Sequence, residues 1–229
     1  MKFEDLKDMY SETQLVEGEE AYRSVSELLR NAKEQHKQDF LRDRPDGDHE
    51  QSWRAFKGKN FEKLIQHIIT ESIEALGMRV INGNKLERST SLSYELSLVK
   101  RNLAIDYGEF GLHLPDVDIV VYNPENMKVI AVISSKVTLR ERIAQTGYWK
   151  LKLLADKTTE HIKVYFITPD EDGTLTTTYL PKKGRAIVEI DLDGTYVLTE
   201  ADIEESDKVK LFEHFIEDFK QLIEDDHTF

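Results

Sequence analysis

The sequence GLHLPDVDIVVYNPENMKVIAVISSK occupies residues 111–136 and contains two runs rich in valine and isoleucine. β-Branched residues of this kind favour strands. Between the runs stands the segment NPEN, residues 123–126, which favours a turn because proline presets its own φ angle and asparagine side chains bond the nearby backbone. The stretch therefore predicts an antiparallel β-hairpin.

Four polar residues of this hairpin are candidates for chemistry. Because side chains alternate between the two faces of a strand, Asp116 and Asp118 share one face, and Ser134 shares a face with Lys136. If the turn is tight and centred on residues 124–125, Ser134 lies opposite Asp116. Both aspartates remain candidate metal ligands, and this register favours Asp116.

Carboxylates and a lysine at the open end of a hairpin suit the hydrolysis of a phosphodiester. Carboxylate oxygens bind Mg²⁺, a hard cation that retains several waters. A bound Mg²⁺ activates water and neutralises negative charge on phosphate. An ammonium group can orient or help deprotonate that water and stabilise the developing charge. The hairpin thus predicts Mg²⁺ as cofactor and requires a second carboxylate from elsewhere in the chain.

The remaining sequence predicts helices and strands that would cover and extend the hairpin. Hydrophobic periodicity predicts five helices: residues 11–41, 60–76, Tyr94–Leu103, Leu139–Ala155 and a segment near the C-terminus after Leu211. Asn60 is the predicted N-cap of the second helix. The pattern also predicts strands over Ile162–Thr168, Ala186–Asp191 and Thr195–Leu198, and a turn at Asp193–Gly194 joins the last two. This order predicts an α/β (α+β) fold with a mixed central sheet flanked by helices. We expect an N-terminal helical arm and linker over residues 1–50 and a single domain, which contains the hairpin, over residues 51–229.

The charge of the chain is unevenly distributed. The formal net charge is −13, which alone disfavours a phosphate-bearing partner. Residues 136–163, however, contain seven bases and three acids, whereas residues 200–229 contain eleven acids and three bases. The basic segment is compatible with DNA, and Lys150 within it is a candidate DNA contact. The chain has no cysteine and no apolar run long enough for a membrane, so we expect a cytoplasmic (prokaryotic) protein without a membrane partner.

The pattern Pro115–Asp116, hairpin, Ser134–Ser135–Lys136 resembles the signature of the PD-(D/E)XK nucleases in an SXK form. The helix FKGKNFEKLIQHII, residues 56–69, resembles the opening helix of that family. The resemblance covers roughly residues 56–168 and implies a restriction-endonuclease-like fold. It implies a metal-binding first aspartate, a catalytic Lys136, and Glu62 as a residue that supports the metal.

The segment SSKVTLRERIAQ, residues 134–145, is similar to the corresponding segment of restriction enzymes that cut sites with a CCGG core, the group of BsaWI and NgoMIV. The similarity implies that Arg140, Glu141 and Arg142 read bases. Such roles agree with chemistry, since arginine fits the O6 and N7 acceptors of guanine and glutamate accepts from cytosine N4.

The chain departs from the family pattern in its acids. Ser134 stands where the family has Asp or Glu, and the helix after Lys136 has no glutamate between Glu141 and Glu160. In the CCGG group a glutamate of that helix replaces the missing acid. Glu62 is therefore the preferred second carboxylate here, with Glu71 and Glu74 as its alternatives.

These patterns favour a type II restriction endonuclease that acts as a homodimer on palindromic double-stranded DNA with Mg²⁺. Two other functions remain open. One is a repair or recombination nuclease on the same scaffold, and the other is a catalytically inactive relative, in which Ser134 marks a decayed site, that binds DNA or protein.

Overall fold

The structure, a computed structural model, describes residues 1–138 and 140–226, without the side chains of Arg140, Glu141 and Asp226. The helices are α1 (Phe3–Glu17), α2 (Val25–Asp43), α3 (His49–Ala75), α4 (Gly83–Arg88), α5 (Tyr94–Leu103), α6 (Arg140–Leu154), α7 (Lys183–Asp191) and α8 (Phe215–Asp226). The strands are β1 (Arg79–Asn82), β2 (Ile105–Asp106), β3 (Leu112–His113), β4 (Ile119–Tyr122), β5 (Val129–Ser135), β6 (Lys163–Thr168), β7 (Gly194–Val197) and β8 (Val209–Leu211). In this described part of the chain, no helix is both long and apolar enough to span a membrane.

A six-stranded mixed sheet forms the centre of the molecule, in the order β1-β4-β5-β6-β7-β8. Strand β4 pairs antiparallel with both β1 and β5, and the strands from β5 to β8 pair in parallel. Strands β2 and β3 form a separate two-stranded sheet. The predicted α/β class with a mixed central sheet is confirmed.

Each face of the sheet carries its own hydrophobic core because side chains alternate along the strands. On β4, Ile119 and Val121 pack in one core with α1, α2, α3 and α8, whereas Val120 and Tyr122 pack in the other with α4 to α7. Burial on both faces explains why the central strands are almost continuously apolar. The N-terminal helices α1 and α2 share the first core with α3, and the division of the chain near residue 50 stays a prediction.

The structure confirms most of the predicted elements and corrects two helices. The hairpin, the helix Tyr94–Leu103, α6, β6 and β7 lie where the sequence predicts them. The predicted helix 11–41 is divided by a 3₁₀ segment over Gly18–Ser24. Asn60 is not an N-cap, because α3 already begins at His49, where the Asp48 side chain accepts the Gln51 N–H at 2.9 Å.

The predicted strand Ala186–Asp191 is wrong, because these residues belong to α7. Arg185 and Glu189 are four residues apart, a spacing that brings side chains together on a helix, and their ion pair measures 2.7 Å. The Arg185 guanidinium is buried and also donates to the carbonyl oxygens of Leu175 and Glu204. Strand β7 consequently pairs in parallel with β6 instead of forming a hairpin at Gly194.

The predicted register of the β4–β5 hairpin is also wrong. Ile119 pairs with Ile133, and a bulge lies between Val121 and Tyr122. Continued by one residue, this register sets Asp118, not Asp116, against Ser134. The cause is a connection longer than a tight turn, closed by the Met127 N–H to Asn123 carbonyl bond of 2.8 Å, with Met127 at a φ of 59°.

Gly83, at the start of α4, packs directly on the backbone that leads into β4. Its N–H donates to the Asp118 carbonyl oxygen at 2.8 Å. A Cβ atom at this position would lie 2.0 Å from the Val117 carbonyl oxygen, a backbone atom that cannot rotate away. Only glycine fits this approach without displacing the segment 117–118.

We expect Gly83→Ala to lower the free energy of unfolding by about 2 kcal/mol or more, because the added methyl group overlaps fixed backbone. Urea denaturation measures this loss. Gly58→Ala is the matched control, since a Cβ there meets no heavy atom within 4 Å and the residue lies inside α3, where alanine adds roughly 1 kcal/mol of stability. Equal stability of the two variants would contradict the prediction.

Candidate active site

The ammonium group of Lys136 lies between two carboxylates at the edge of the sheet. Its Nζ atom is 2.8 Å from Asp118 Oδ1 and 2.5 Å from Glu62 Oε1. Lys136 directly follows β5, Asp118 directly precedes β4, and Glu62 lies in the middle of α3. The hairpin and the helix packed against it therefore bring together three charged groups from distant parts of the sequence.

Asp118 is held rigidly in this cluster. It is only 4% exposed, and its Oδ2 atom accepts the backbone N–H of Ser135 at 2.7 Å while Oδ1 accepts from Lys136. Its own backbone is fixed by the bond from Gly83. The corrected register explains this geometry, because it brings Asp118 beside residues 134–136. Ser134 is buried and supplies no charge at the position where the family has an acid.

Burial and like charge act together on Glu62. Burial is the main cause that raises the pKa of the Glu62 carboxyl group, and the negative charge of Asp118 raises it further, although the hydrogen bond from Lys136 acts in the opposite direction. Burial alone would lower the pKa of Lys136, but the Asp118 and Glu62 carboxylates outweigh it and raise that pKa. Two carboxylates that repel each other favour a positive charge between or beside them.

The donor atoms of this cluster fit Mg²⁺. Asp118 and Glu62 offer only oxygen ligands, and Mg²⁺ in nucleotide-processing sites commonly takes one or two carboxylates together with waters and substrate phosphate. Within residues 1–138 and 140–226, no group of three or more acidic or histidine side chains is arranged to hold a metal. Asp118 and Glu62 are the two residues of this cluster that could hold such an ion.

The structure separates the other acidic candidates from this cluster. Asp116 is exposed, and its Oδ2 atom accepts from Gln145 Nε2 of α6 at 2.8 Å. Glu71 and Glu74 lie nine and twelve residues beyond Glu62 on α3, roughly 13 and 18 Å along the helix axis. Glu74 lies near Arg79, 3.9 Å away. Neither residue is in a position to serve as the second carboxylate of this cluster.

The predicted DNA contacts differ in their placement. Arg142 is exposed near the start of α6. The predictions for Arg140 and Glu141 fall on side chains outside the described part of the structure. Lys150 is buried, and its Nζ atom binds Asp193 Oδ2 at 2.6 Å and the Ile162 carbonyl oxygen at 3.1 Å. The Lys150 ammonium group is therefore neutralised by an ion pair within the protein, and the structure does not support the predicted DNA contact at Lys150.

The sequence did not predict two groups that hold Asp118 in place. The first is the backbone N–H of Ser135, which the correct hairpin register would have placed beside Asp118. The second is Gly83, for which the sequence carries no signal, because its close approach to the segment 117–118 depends on the pairing of β1 with β4.

The chain is similar to known restriction enzymes in sequence and in structure. A family model described as BsaWI restriction endonuclease type 2 matches residues 95–218, more than half of the chain. A protein of Methanocaldococcus jannaschii that bears the name type II restriction enzyme MjaVIP is 41% identical over 202 residues, which cover 86% of this chain and 88% of that protein. A protein of Helicobacter pylori that bears the name type II restriction enzyme HpyAORF263P is 38% identical over 125 residues, 55% of this chain and 64% of that protein.

The fold is similar to that of the restriction endonuclease AgeI, solved as a specific complex with DNA. The TM-score is 0.56 at 15% sequence identity, and the match covers 96% of this chain and 91% of that chain. Identity this low supports the fold alone. The family model and the Methanocaldococcus jannaschii relative carry the assignment: this chain belongs to the BsaWI family of type II restriction endonucleases, site-specific enzymes that cut DNA.

Proposed function

We propose that this protein cuts double-stranded DNA at a palindromic site with Mg²⁺, through a centre made of Asp118, Glu62 and Lys136. The observation that carries this proposal is the contact of one ammonium group with two carboxylates at the edge of the sheet. An assembled cluster of this kind argues against a decayed site, although Ser134 replaces the usual acid. Mg²⁺, when bound, would supply an activated water and neutralise charge on the phosphate.

Each residue of the centre has a distinct role in the proposed reaction. Asp118 and Glu62 hold the cation, and the bond from Ser135 N–H keeps the Asp118 carboxylate in one orientation. Lys136 is partly exposed, so its ammonium group can orient a water and stabilise negative charge on a phosphate that reaches the site. Because α3 and the hairpin are both anchored in the core, these groups are positioned before substrate arrives.

The sequence read by the enzyme is proposed from the segment that follows Lys136. The exposed Arg142 lies in it, together with Arg140 and Glu141, and arginine and glutamate suit the major-groove edges of G·C base pairs. The similarity of this segment to that of enzymes that cut sites with a CCGG core supports a palindrome that contains CCGG. The structurally similar AgeI forms a specific complex with DNA, which agrees with a DNA substrate for this chain.

We expect Lys136→Ala to reduce the cleavage rate by about 10³-fold or more, because one charged group that stabilises the transition state is lost. Specific binding to the same duplex should persist, since the base-reading segment is untouched. Plasmid digestion and a gel-shift assay with Ca²⁺ in place of Mg²⁺ measure the two effects. Lys59→Ala, an exposed lysine on α3, is the control. Substantial cutting by purified Lys136→Ala would refute the assigned role.

Substitution of each carboxylate by the amide of the same shape compares the roles of Asp118 and Glu62 in cleavage with the role of Asp116. Asp118→Asn and Glu62→Gln should each lower cleavage by more than about 100-fold and demand more Mg²⁺, because an oxygen ligand loses its charge. Asp116→Asn should keep most of the activity, since Asp116 contacts Gln145 instead of the cluster. The measurement is the cleavage rate of each variant over a range of Mg²⁺ concentrations. A larger loss of cleavage in Asp116→Asn than in Asp118→Asn would show that Asp116, not Asp118, is the metal ligand.

A palindromic site has two-fold symmetry, and a two-fold symmetric dimer presents one active site to each strand. We therefore expect two chains on each duplex. Light scattering of the protein mixed with a duplex that contains its site, in Ca²⁺, should give the mass of two chains and one duplex. A complex with a single chain at saturating protein would contradict the homodimer.

A further inference from the structure

The segment 169–182 joins β6 to α7 and presents two large apolar side chains to solvent; we call it the tip loop. Tyr179 is 78% exposed and Leu180 is 80% exposed. Leu180 has a φ of 46°, in the left-handed region that a bulky side chain rarely adopts. Such conformations cost of order 1–3 kcal/mol and are retained mainly where they serve a function.

The tip loop is anchored on both sides of its exposed residues. The Glu204 carboxylate accepts from the Thr178 backbone N–H at 2.6 Å and from the hydroxyl groups of Thr178 and Thr177. Lys182 donates to the carbonyl oxygens of Asp172 and Gly173. The backbone is therefore held in place, and the exposure of Tyr179 and Leu180 is a defined feature of the surface.

The loop lies at the same edge of the sheet as the active site. The Lys136 N–H donates to the Ile167 carbonyl oxygen at 3.2 Å, and the Glu171 N–H approaches the Val137 carbonyl oxygen at 3.4 Å. The first residues of the loop thus run beside the segment that carries Lys136.

The end of the loop lies beside the proposed base-reading segment. Lys182 and Lys183 line one cavity together with Ile143 and Ala144 near the start of α6. Arg142 directly precedes these two α6 residues. The tip loop therefore borders the surface that would face DNA.

The charged residues nearest to Tyr179 and Leu180 along the chain are the exposed Lys182 and Lys183. Two acids of the loop are engaged within the protein: Asp170 accepts the N–H groups of Thr174 and Leu175, and Glu171 pairs with Lys57 at 2.8 Å. The third acid, Asp172, lines the same cavity as Lys182 and Lys183. Among the described side chains, no carboxylate forms an ion pair with Lys182, Lys183 or Arg142. Lys183 and Arg142 are therefore exposed bases on this edge that suit contact with phosphate.

We propose that the tip loop is a DNA-contacting element, in which Tyr179 and Leu180 enter a groove of the bound duplex while Lys183, just after the loop, contacts a flanking phosphate. The inference rests on the proposed nuclease function. Apolar side chains in a groove contact base edges or loosen the stacking of a base step, and an aromatic ring adds stacking energy with any base. The tip would add affinity and shape readout to the base contacts of α6.

The test compares Tyr179→Ser/Leu180→Ser with the control Leu15→Ser/Val16→Ser, a pair on α1 that is 88% and 86% exposed. Binding is measured in Ca²⁺ to a duplex whose site is identified by sequencing the ends of digested DNA. The tip variant should bind about tenfold more weakly or worse, the range expected when one stacking contact is lost. The control should bind like the wild-type protein, and both should melt at the wild-type temperature.

Two further variants separate a DNA contact from a structural role. Leu180→Gly relieves the left-handed backbone strain, so it should melt at an equal or higher temperature and still bind DNA more weakly. Lys183→Ala, which leaves the Lys182 anchor intact, should lower the slope of log Kd against log salt by about one, because each phosphate contact contributes roughly 0.9.

The failures are distinguishable. If the wild-type protein cuts DNA at a defined site and the tip variant binds and cuts like it, the tip assignment is wrong and the proposed function stands. If the tip variant instead changes the oligomeric mass with unchanged affinity per dimer, a second copy of the chain covers the tip, and the DNA assignment is again wrong. A wild-type protein that cuts no DNA in Mg²⁺ overturns the proposed function, and this inference falls with it.

Discussion

Three charged groups, Asp118, Glu62 and Lys136, share one partly buried site, and each depends on the others for its charge. Removing a charge from water is costly unless an opposite charge and hydrogen bonds compensate for it. Here one ammonium group serves two carboxylates, so negative charge remains in excess at the centre. This excess is the physical basis for binding a cation. It can persist only because α3 and the hairpin are packed into a core that prevents the two carboxylates from moving apart.

The geometry of that site depends on the β4–β5 register more than on any single catalytic side chain. A slip of one residue moves every side chain to the opposite face of the sheet. The bulge at Val121–Tyr122 and the six-residue connection from Asn123 to Lys128 set the register. The approach of Gly83 to the segment 117–118 then holds the free end of β4, where Asp118 stands. Backbone features without charge therefore decide which of the two aspartates meets Lys136.

The sequence predicted what depends on local pattern and missed what depends on long-range contacts. The hairpin, α5, α6, β6 and the proximity of Glu62 and Lys136 follow from periodicity and motif. The register failed because a connection with Met127 in the left-handed region cannot be distinguished from a tight turn in sequence. The helix α7 was predicted as a strand because its Ile–Val pair favours strands, while the Arg185–Glu189 pair at helical spacing carried the correct signal. Lys150 was predicted as a DNA contact because it lies in the basic segment 136–163. Its ion-pair partner Asp193 is 43 residues away, so the sequence alone did not reveal the pair.

The uneven charge of the chain affects how it meets DNA, whereas other groups would determine which DNA sequence it binds. The acidic body as a whole repels the DNA backbone, so an encounter that presents the exposed bases Arg142 and Lys183 is favoured over other orientations. Backbone contacts alone carry no sequence information. Discrimination must then arise from groups that reach the base pairs, which the segment 140–142 would do by hydrogen bonds and the tip loop by shape.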